Sequence, residues 1–204
     1  MQENIDLQEK KEPEIVNVPK KSKFKEHIDG AWELVKFASL ALAIVIPIRL
    51  FIAQPFVVSG DSMVPTFHDG QYLIVDELSY ILRGPSRGDV VIFRYPNDTK
   101  RFFIKRIIGM PNEKINISNG VVTIYNDENK EGFKLSEPYI DETFHTTANY
   151  TIGPEEYFVM GDNRNRSSDS RIWGLLPRKL MVGRAYLRLL PLQELSFLPG
   201  AIKK

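Results

Sequence analysis

Three short segments of this chain carry side chains that could make and break bonds. The first is Ser59-Gly60-Asp61-Ser62-Met63-Val64-Pro65-Thr66. Its small residues allow a tight turn, and Pro65 stiffens the exit. A serine presented on such a turn is a nucleophile if a base reaches it and backbone N–H groups face the developing oxyanion. Without those partners the same residues make an ordinary polar turn between strands. The second segment, Phe102 to Ile108, holds Lys105 among aromatic and aliphatic residues. Strand alternation would put Phe103 and Lys105 on one face, Ile104 and Arg106 on the other. The lysine is then either a charged guard on an edge strand or a buried amine. The third, Gly161 to Arg171, has no apolar side chain but holds three serines, Asp162 and Asp169, and Arg164, Arg166 and Arg171. It is either a solvated loop or a charge-paired scaffold whose serines could orient an amine.

The chemistry open to these segments is narrowed by what the chain lacks. It has no cysteine, which excludes thiolate nucleophiles, disulfides and cysteine-ligated zinc. Its three histidines are poorly placed. His27 lies in a polar tail, His68 is only six residues past Ser62, and His145 sits in a turn-rich stretch. A His-based triad or a multi-His metal site is therefore not expected, and neither metal nor cofactor is. A lysine could replace the histidine as base, but a free one, with a pKa of about 10.4, is neutral only about 0.4% of the time at pH 8. Burial against apolar surface lowers that pKa by up to about 3–5 units and would make Lys105 usable.

The elements that must position these groups follow from the rest of the chain. Its 204 residues, net charge of +1 and 43% apolar content suit one compact domain with something added, and no basic stripe points to nucleic acid. Residues 1–31 form a polar tail whose inner end carries Lys20, Lys21, Lys23 and Lys25. Residues 32–54 contain the one long apolar run, from Phe37 to Ile48, flanked by Lys36 and Arg49. A span of about 20 residues crosses a bilayer if such end charges snorkel to its surfaces. An uncleaved single-pass anchor is the expectation: the preceding region is long for a signal peptide, and the small-residue exit at Ala53 lacks its small partner. The lysines before the span place the tail in the cytosol and the remainder outside.

Beyond the anchor the apolar runs are short and rich in β-formers: 72–75, 90–93, 102–104, 121–125, 157–160 and 185–189. Turn residues separate them, and Asn119-Gly120 between two β-prone arms is the clearest hairpin signal. The fold is read as mostly β. Residues 55–110 and 157–204 would form a catalytic core, and the polar, turn-rich stretch 111–156 an inserted second β lobe.

Taken together, SGDSMVPT, RGDVVIF (87–93), FIKRIIGMP (103–111) and GDNRNRSSDSR (161–171), in that order behind an anchor, resemble bacterial type I signal peptidases. These are membrane-anchored Ser–Lys endopeptidases that release exported precursor proteins from their signal peptides. The resemblance runs from the anchor to about residue 174. It implies Ser62 as nucleophile and Lys105 as general base, with Ser167 orienting the lysine. Asp169 would pair with Arg171, and with Arg106 as a further partner, to hold the loop. Phe56, Val58, Met63, Phe103 and Ile104 would line shallow pockets for small residues before the scissile bond. The implied partners are signal-peptide-bearing precursors and the lipid bilayer, and the implied location is the cell membrane. One departure stands out. Some members carry a serine two places before the nucleophile as an oxyanion donor, where this chain has Gly60. Two other readings are a self-cleaving repressor-type Ser–Lys protease, which would need a DNA-binding module in place of the anchor, and a tethered, non-catalytic β module, which should lack Ser62 or Lys105.

Overall fold

The computed structural model describes residues 32–45 and 54–202, in a chain that divides into two compact units, Met1–Ile44 and Val45–Lys204. In the first, the described residues form a helix, α1 (32–45), with Trp32, Leu34, Phe37, Leu40, Leu42 and Ile44 all exposed. Among the described residues no helix is long and apolar enough to cross a membrane. Positions 46–53 of the expected anchor lie outside the described residues. Its last residue, Gln54, does not belong to a helix: it opens strand β1 and pairs with Val75.

The second unit holds two antiparallel sheets. The larger runs in the order β1 (Gln54–Val57), β2 (Tyr72–Asp76), β11 (Met181–Leu190), β3 (Val90–Tyr95), β4 (Asp98–Gly109), β9 (Glu156–Met160), β10 (Leu176–Pro177), with β12 (Ser196–Phe197) paired to β11. Its centre is set by Val90-Val91-Ile92-Phe93, an unbroken apolar run. Alternation sends Val90 and Ile92 into a core with Val58, Met63, Phe67, Leu73 and Val75, while Val91 and Phe93 enter a second core with Ile107, Tyr157, Val159 and Leu176. A strand buried on both faces cannot alternate polar with apolar residues, and this one does not.

The smaller sheet, β7 (Phe133–Lys134), β6 (Val121–Tyr125), β5 (Lys114–Ser118), β8 (Ala148–Thr151), forms between β4 and β9 in sequence. Its strands do alternate. Ile115, Ile117, Val122 and Ile124 face a core completed by Ile108 from β4 and Phe158 and Met160 from β9, so the lobe packs on the far end of the long β4 hairpin. The β5–β6 turn is Asn119-Gly120 with φ of 46° and 84°, both left-handed, as a two-residue hairpin of this hand requires. Strand β4 begins at Asp98, four residues before the apolar signal starts, because its polar first half pairs with β3 at the sheet's rim. Two short helices, α2 (Leu78–Leu82) and α3 (Ser170–Trp173), complete the unit and are too brief to show a helical period in the sequence.

Candidate active site

Residues 58–71 fold as a loop pinned at its neck, Val58 N–H donating to the Gln71 carbonyl and Gly70 N–H to that of Val58, each at 2.9 Å. Within it Gly60 takes φ +85° and donates its N–H to Asp69 Oδ1 at 2.7 Å. A helical turn follows, Phe67 N–H donating to the Met63 carbonyl, and both of those side chains are fully buried. The turn is thus nailed to the core on one side, and Ser62 stands partly exposed on the other.

Lys105 reaches Ser62 from β4, where it pairs in register with Val91. Its Nζ lies 2.7 Å from Ser62 Oγ, donates to the Ile104 carbonyl at 2.8 Å and sits 5.4 Å from the centre of the Phe103 ring. The residue is 4% exposed. Burial pushes the amine down to about 8, against the pull of the Asp169 and Asp162 charges, which favour the ammonium. Burial wins because each carboxylate is already matched by its own arginine. Asp162 takes Arg106 Nε at 2.8 Å and Nη2 at 2.6 Å, and Asp169 takes Arg171 Nε and Nη2, both at 2.8 Å. At pH 8 about half of such a lysine is neutral, against about 0.4% of a free one.

The third segment reaches the nucleophile through its backbone. Asn163 N–H donates to the Ser62 carbonyl at 3.1 Å, Gly161 N–H to Asp169 Oδ2 at 3.1 Å, and Asp169 caps α3 through Arg171 N–H. Gly161 has no room for a side chain: a Cβ would stand 2.2 Å from Ser167 Oγ and 2.4 Å from the Ser62 carbonyl oxygen. Ser167 is 7% exposed, and its Oγ has no hydrogen-bond partner among the described residues, so Lys105 does not reach it here.

Most of the residues singled out from the sequence converge, and besides the unpartnered Ser167 there are two differences. Arg106 pairs with Asp162, not Asp169. In the β4–β9 register it stands opposite Met160, and Asp162 is the next acid on that side, whereas Asp169 lies beyond a turn and belongs to Arg171. Met63 lies in the core and does not line the cleft beside Ser62. That cleft, about 550 Å³, is lined by Phe56, Val58, Phe103 and Ile104, and also by Leu73, Ile92, Arg101, Arg166 and Ser168. Phe56 and Phe102 meet across one end, ring centres 5.2 Å apart. His68 and His145 are exposed, and His27 lies outside the described residues. Other partners of Arg106 escaped sequence reasoning: Gly88 O at 2.9 Å, Gly200 O, and the Tyr139 ring, 3.9 Å from the guanidinium carbon. Nothing in their local sequence marks them, because they meet Arg106 only through the sheet order.

Comparison with known proteins finds relatives over most of the chain. The family described as "Signal peptidase, peptidase S26" matches residues 31–190. The chain is 35% identical over 176 residues to a "Probable signal peptidase I-1" of Synechocystis sp., covering 80% of this chain and 87% of that one. A "Probable signal peptidase I-2" of the same organism is 38% identical over 182 residues, with 83% and 78% covered. The "Signal peptidase I" of Bacillus amyloliquefaciens is 35% identical over 176 residues, with 80% and 88% covered.

Proposed function

Because the chain belongs to the signal peptidase family, peptidase S26, we propose that it cleaves signal peptides with Ser62 as nucleophile and Lys105 as general base. Membership makes it a hydrolase, a serine protease acting on signal-peptide-bearing precursors. The observation that carries the proposed dyad is the 2.7 Å approach of a buried, pKa-lowered amine to Ser62 Oγ.

The steps follow from that contact. Neutral Lys105 takes the proton of Ser62 Oγ as the oxygen attacks the scissile carbonyl carbon. The resulting ammonium gives the proton to the departing amine, which becomes the new N-terminus. Water then releases the acyl group by the same route. The oxyanion needs donors, and the Ser62 N–H has no acceptor among the described residues, so it is free for that role. Gly60 leaves no side-chain donor beside it.

Substrate binding is proposed at the edge of β4. Strand β9 pairs with β4 only from Arg106 to Gly109, which leaves residues 98–105 with one open edge facing β1 across the cleft. An extended precursor segment can add there as a strand, and Phe56, Val58 and Ile104 crowd its side chains toward small sizes. We also propose a single membrane crossing that starts at about residue 32 and ends before Gln54, the first residue of β1, with residues 1–31 cytosolic and the protease domain outside. Protease added to intact cells should then cut within 60–204 and spare the tail, and a protected domain would sink that topology.

The dyad is tested by Lys105→Arg. It keeps the charge but, since a guanidinium is not deprotonated in proteins, it loses the base. Cleavage of a precursor should fall to the level of Ser62→Ala. In the wild type the rate should rise about tenfold per pH unit below pH 8 and level off above it, because the neutral fraction does. Substantial activity in Lys105→Arg, or a flat profile, would overturn the assignment.

A further inference from the structure

The lobe grips the 161–171 loop at Arg164, Asn165 and Arg171, none of which takes part in the steps above. Arg164, whose side chain is fully buried, forms an ion pair with Glu137, Nη1 to Oε2 at 3.1 Å and Nη2 to Oε1 closer still. The Tyr139 hydroxyl donates to the same Glu137 Oε1 at 2.9 Å, and its ring covers Arg106. Asn165 Nδ2 donates to the Thr143 carbonyl at 3.2 Å. Behind them Phe144, in the lobe core, carries the guanidinium carbons of Arg164 and Arg171 over its ring at 4.9 and 5.5 Å.

What Arg164 does with its remaining hydrogens gives this grip its consequence. Its Nε donates to the Gly161 carbonyl at 3.1 Å. Gly161 is the residue packed against Ser167 Oγ and the Ser62 carbonyl, and two residues on, the Asn163 N–H holds that same carbonyl. Glu137 is therefore linked to the nucleophile turn through one arginine and one backbone segment. Neutralising Glu137 would leave Arg164 a buried cation without a carboxylate. The guanidinium would then turn toward water and release Gly161.

We propose that Glu137 is a positioning residue for Ser62, acting through Arg164, and that residues 137–144 make the lobe a brace for the reacting loop. The inference rests on Ser62 and Lys105 being the reacting pair, so the test reads the chemistry and the loop separately. In the full-length protein, Glu137→Gln keeps the shape and removes the charge. Its kcat on a precursor peptide, per folded molecule, should fall about tenfold with KM moving less than about twofold. The Asn163 amide should exchange with solvent about tenfold faster while the β3 amides stay as they are. Placed in an Arg164→Gln background, Glu137→Gln should cost little further kcat, because both substitutions break the one link to the Gly161 carbonyl.

The proposal is overturned if kcat per folded molecule stays within about twofold of the wild type. It is equally overturned if Asn163 exchange is unchanged, or if the activity lost matches the fraction unfolded. Should Glu137→Gln fail to fold, Glu137→Asp, which keeps the charge on a shorter stem, takes its place with the same readouts. If Lys105→Arg proves active, the dyad fails, and the exchange of Asn163 still decides whether the brace exists.

Discussion

On the two faces of β4, adjacent residues put a cation out of water in opposite ways. Toward the cleft, Lys105 is 4% exposed and has only a hydroxyl, a carbonyl and an aromatic face around its amine. Behind it, Arg106 is fully buried, yet the Nε–Nη2 edge of its guanidinium meets Asp162, two carbonyls take hydrogens from Nη1, and Tyr139 covers its plane. A charge stripped of partners is disfavoured and gives up its proton; a charge given a bidentate carboxylate stays charged and becomes scaffold. The sheet needs both within two residues. The paired face fixes where the loop and the nucleophile turn lie, and only a fixed site can hold an unpaired amine against a serine.

The comparison breaks most visibly at Asp162. Asp162→Ala would leave the Arg106 guanidinium in the interior without a carboxylate and would also strip Thr66 Oγ1 of its acceptor. Removing one partner of a buried pair costs about 3–5 kcal/mol. Urea unfolding should show a loss of that size. A loss under about 1 kcal/mol would mean that the rear face behaves like a surface ion pair.

Lys105→Met should do the reverse, ending catalysis while raising stability at pH 7. Holding the lysine pKa at about 8 instead of 10.5 disfavours its charged form in the fold by about 3 kcal/mol, an upper bound on the gain. The sign has a pH signature. Between pH 8 and 10.5 the unfolded chain keeps a proton on this lysine that the folded chain has shed, so wild-type stability rises with pH across that window. Below pH 8 both states hold the proton and the penalty is constant. The difference between wild type and Lys105→Met should therefore shrink from pH 8 to 10.5, as followed by urea midpoints. A difference that does not change with pH would show that the amine is solvated.

The front face was far more legible in the sequence than the rear. A serine between small turn residues and a lysine in an apolar strand are local signals, and two-residue alternation suffices to put Lys105 beside Phe103. The Asn119-Gly120 hairpin and the double-sided burial of Val90 to Phe93 are equally local. Arg106 gave no comparable hint of its partner, because Asp162 reaches it through the β4–β9 register and Gly200 through the chain's return past β12. Glu137 is separated from Arg164 by 27 positions and lies in irregular backbone, where no periodicity operates. Pairings made by tertiary register were misassigned or missed, as with Asp169 offered to Arg106, while placements carried by neighbours in sequence, such as Lys105 in a strand beside Phe103, were legible.

The smallest expected effect concerns a polar side chain of the site that belongs to neither face. Ser167 Oγ is buried and partnerless, pressed with the Ser62 carbonyl against Gly161. Deleting a hydroxyl that makes no hydrogen bond removes a desolvated group and leaves only a small void, so Ser167→Ala should leave stability within about 0.5 kcal/mol of the wild type. Activity should behave differently if the hydroxyl serves the lysine during the reaction. Once Lys105 carries the serine proton it has three hydrogens and, at rest, two acceptors, Ser62 Oγ and the Ile104 carbonyl. A rotating Ser167 hydroxyl can supply the third, an interaction made only as charge develops, worth about 0.5–1.5 kcal/mol. That predicts a fall in kcat of about 2–10-fold with KM unchanged. It also predicts an alkaline limb displaced to lower pH, since losing an acceptor for the ammonium favours the neutral amine. An unchanged kcat would assign Ser167 to packing against Gly161 alone, and a loss as deep as that of Lys105→Arg would mean that the hydroxyl already holds the amine in the resting enzyme.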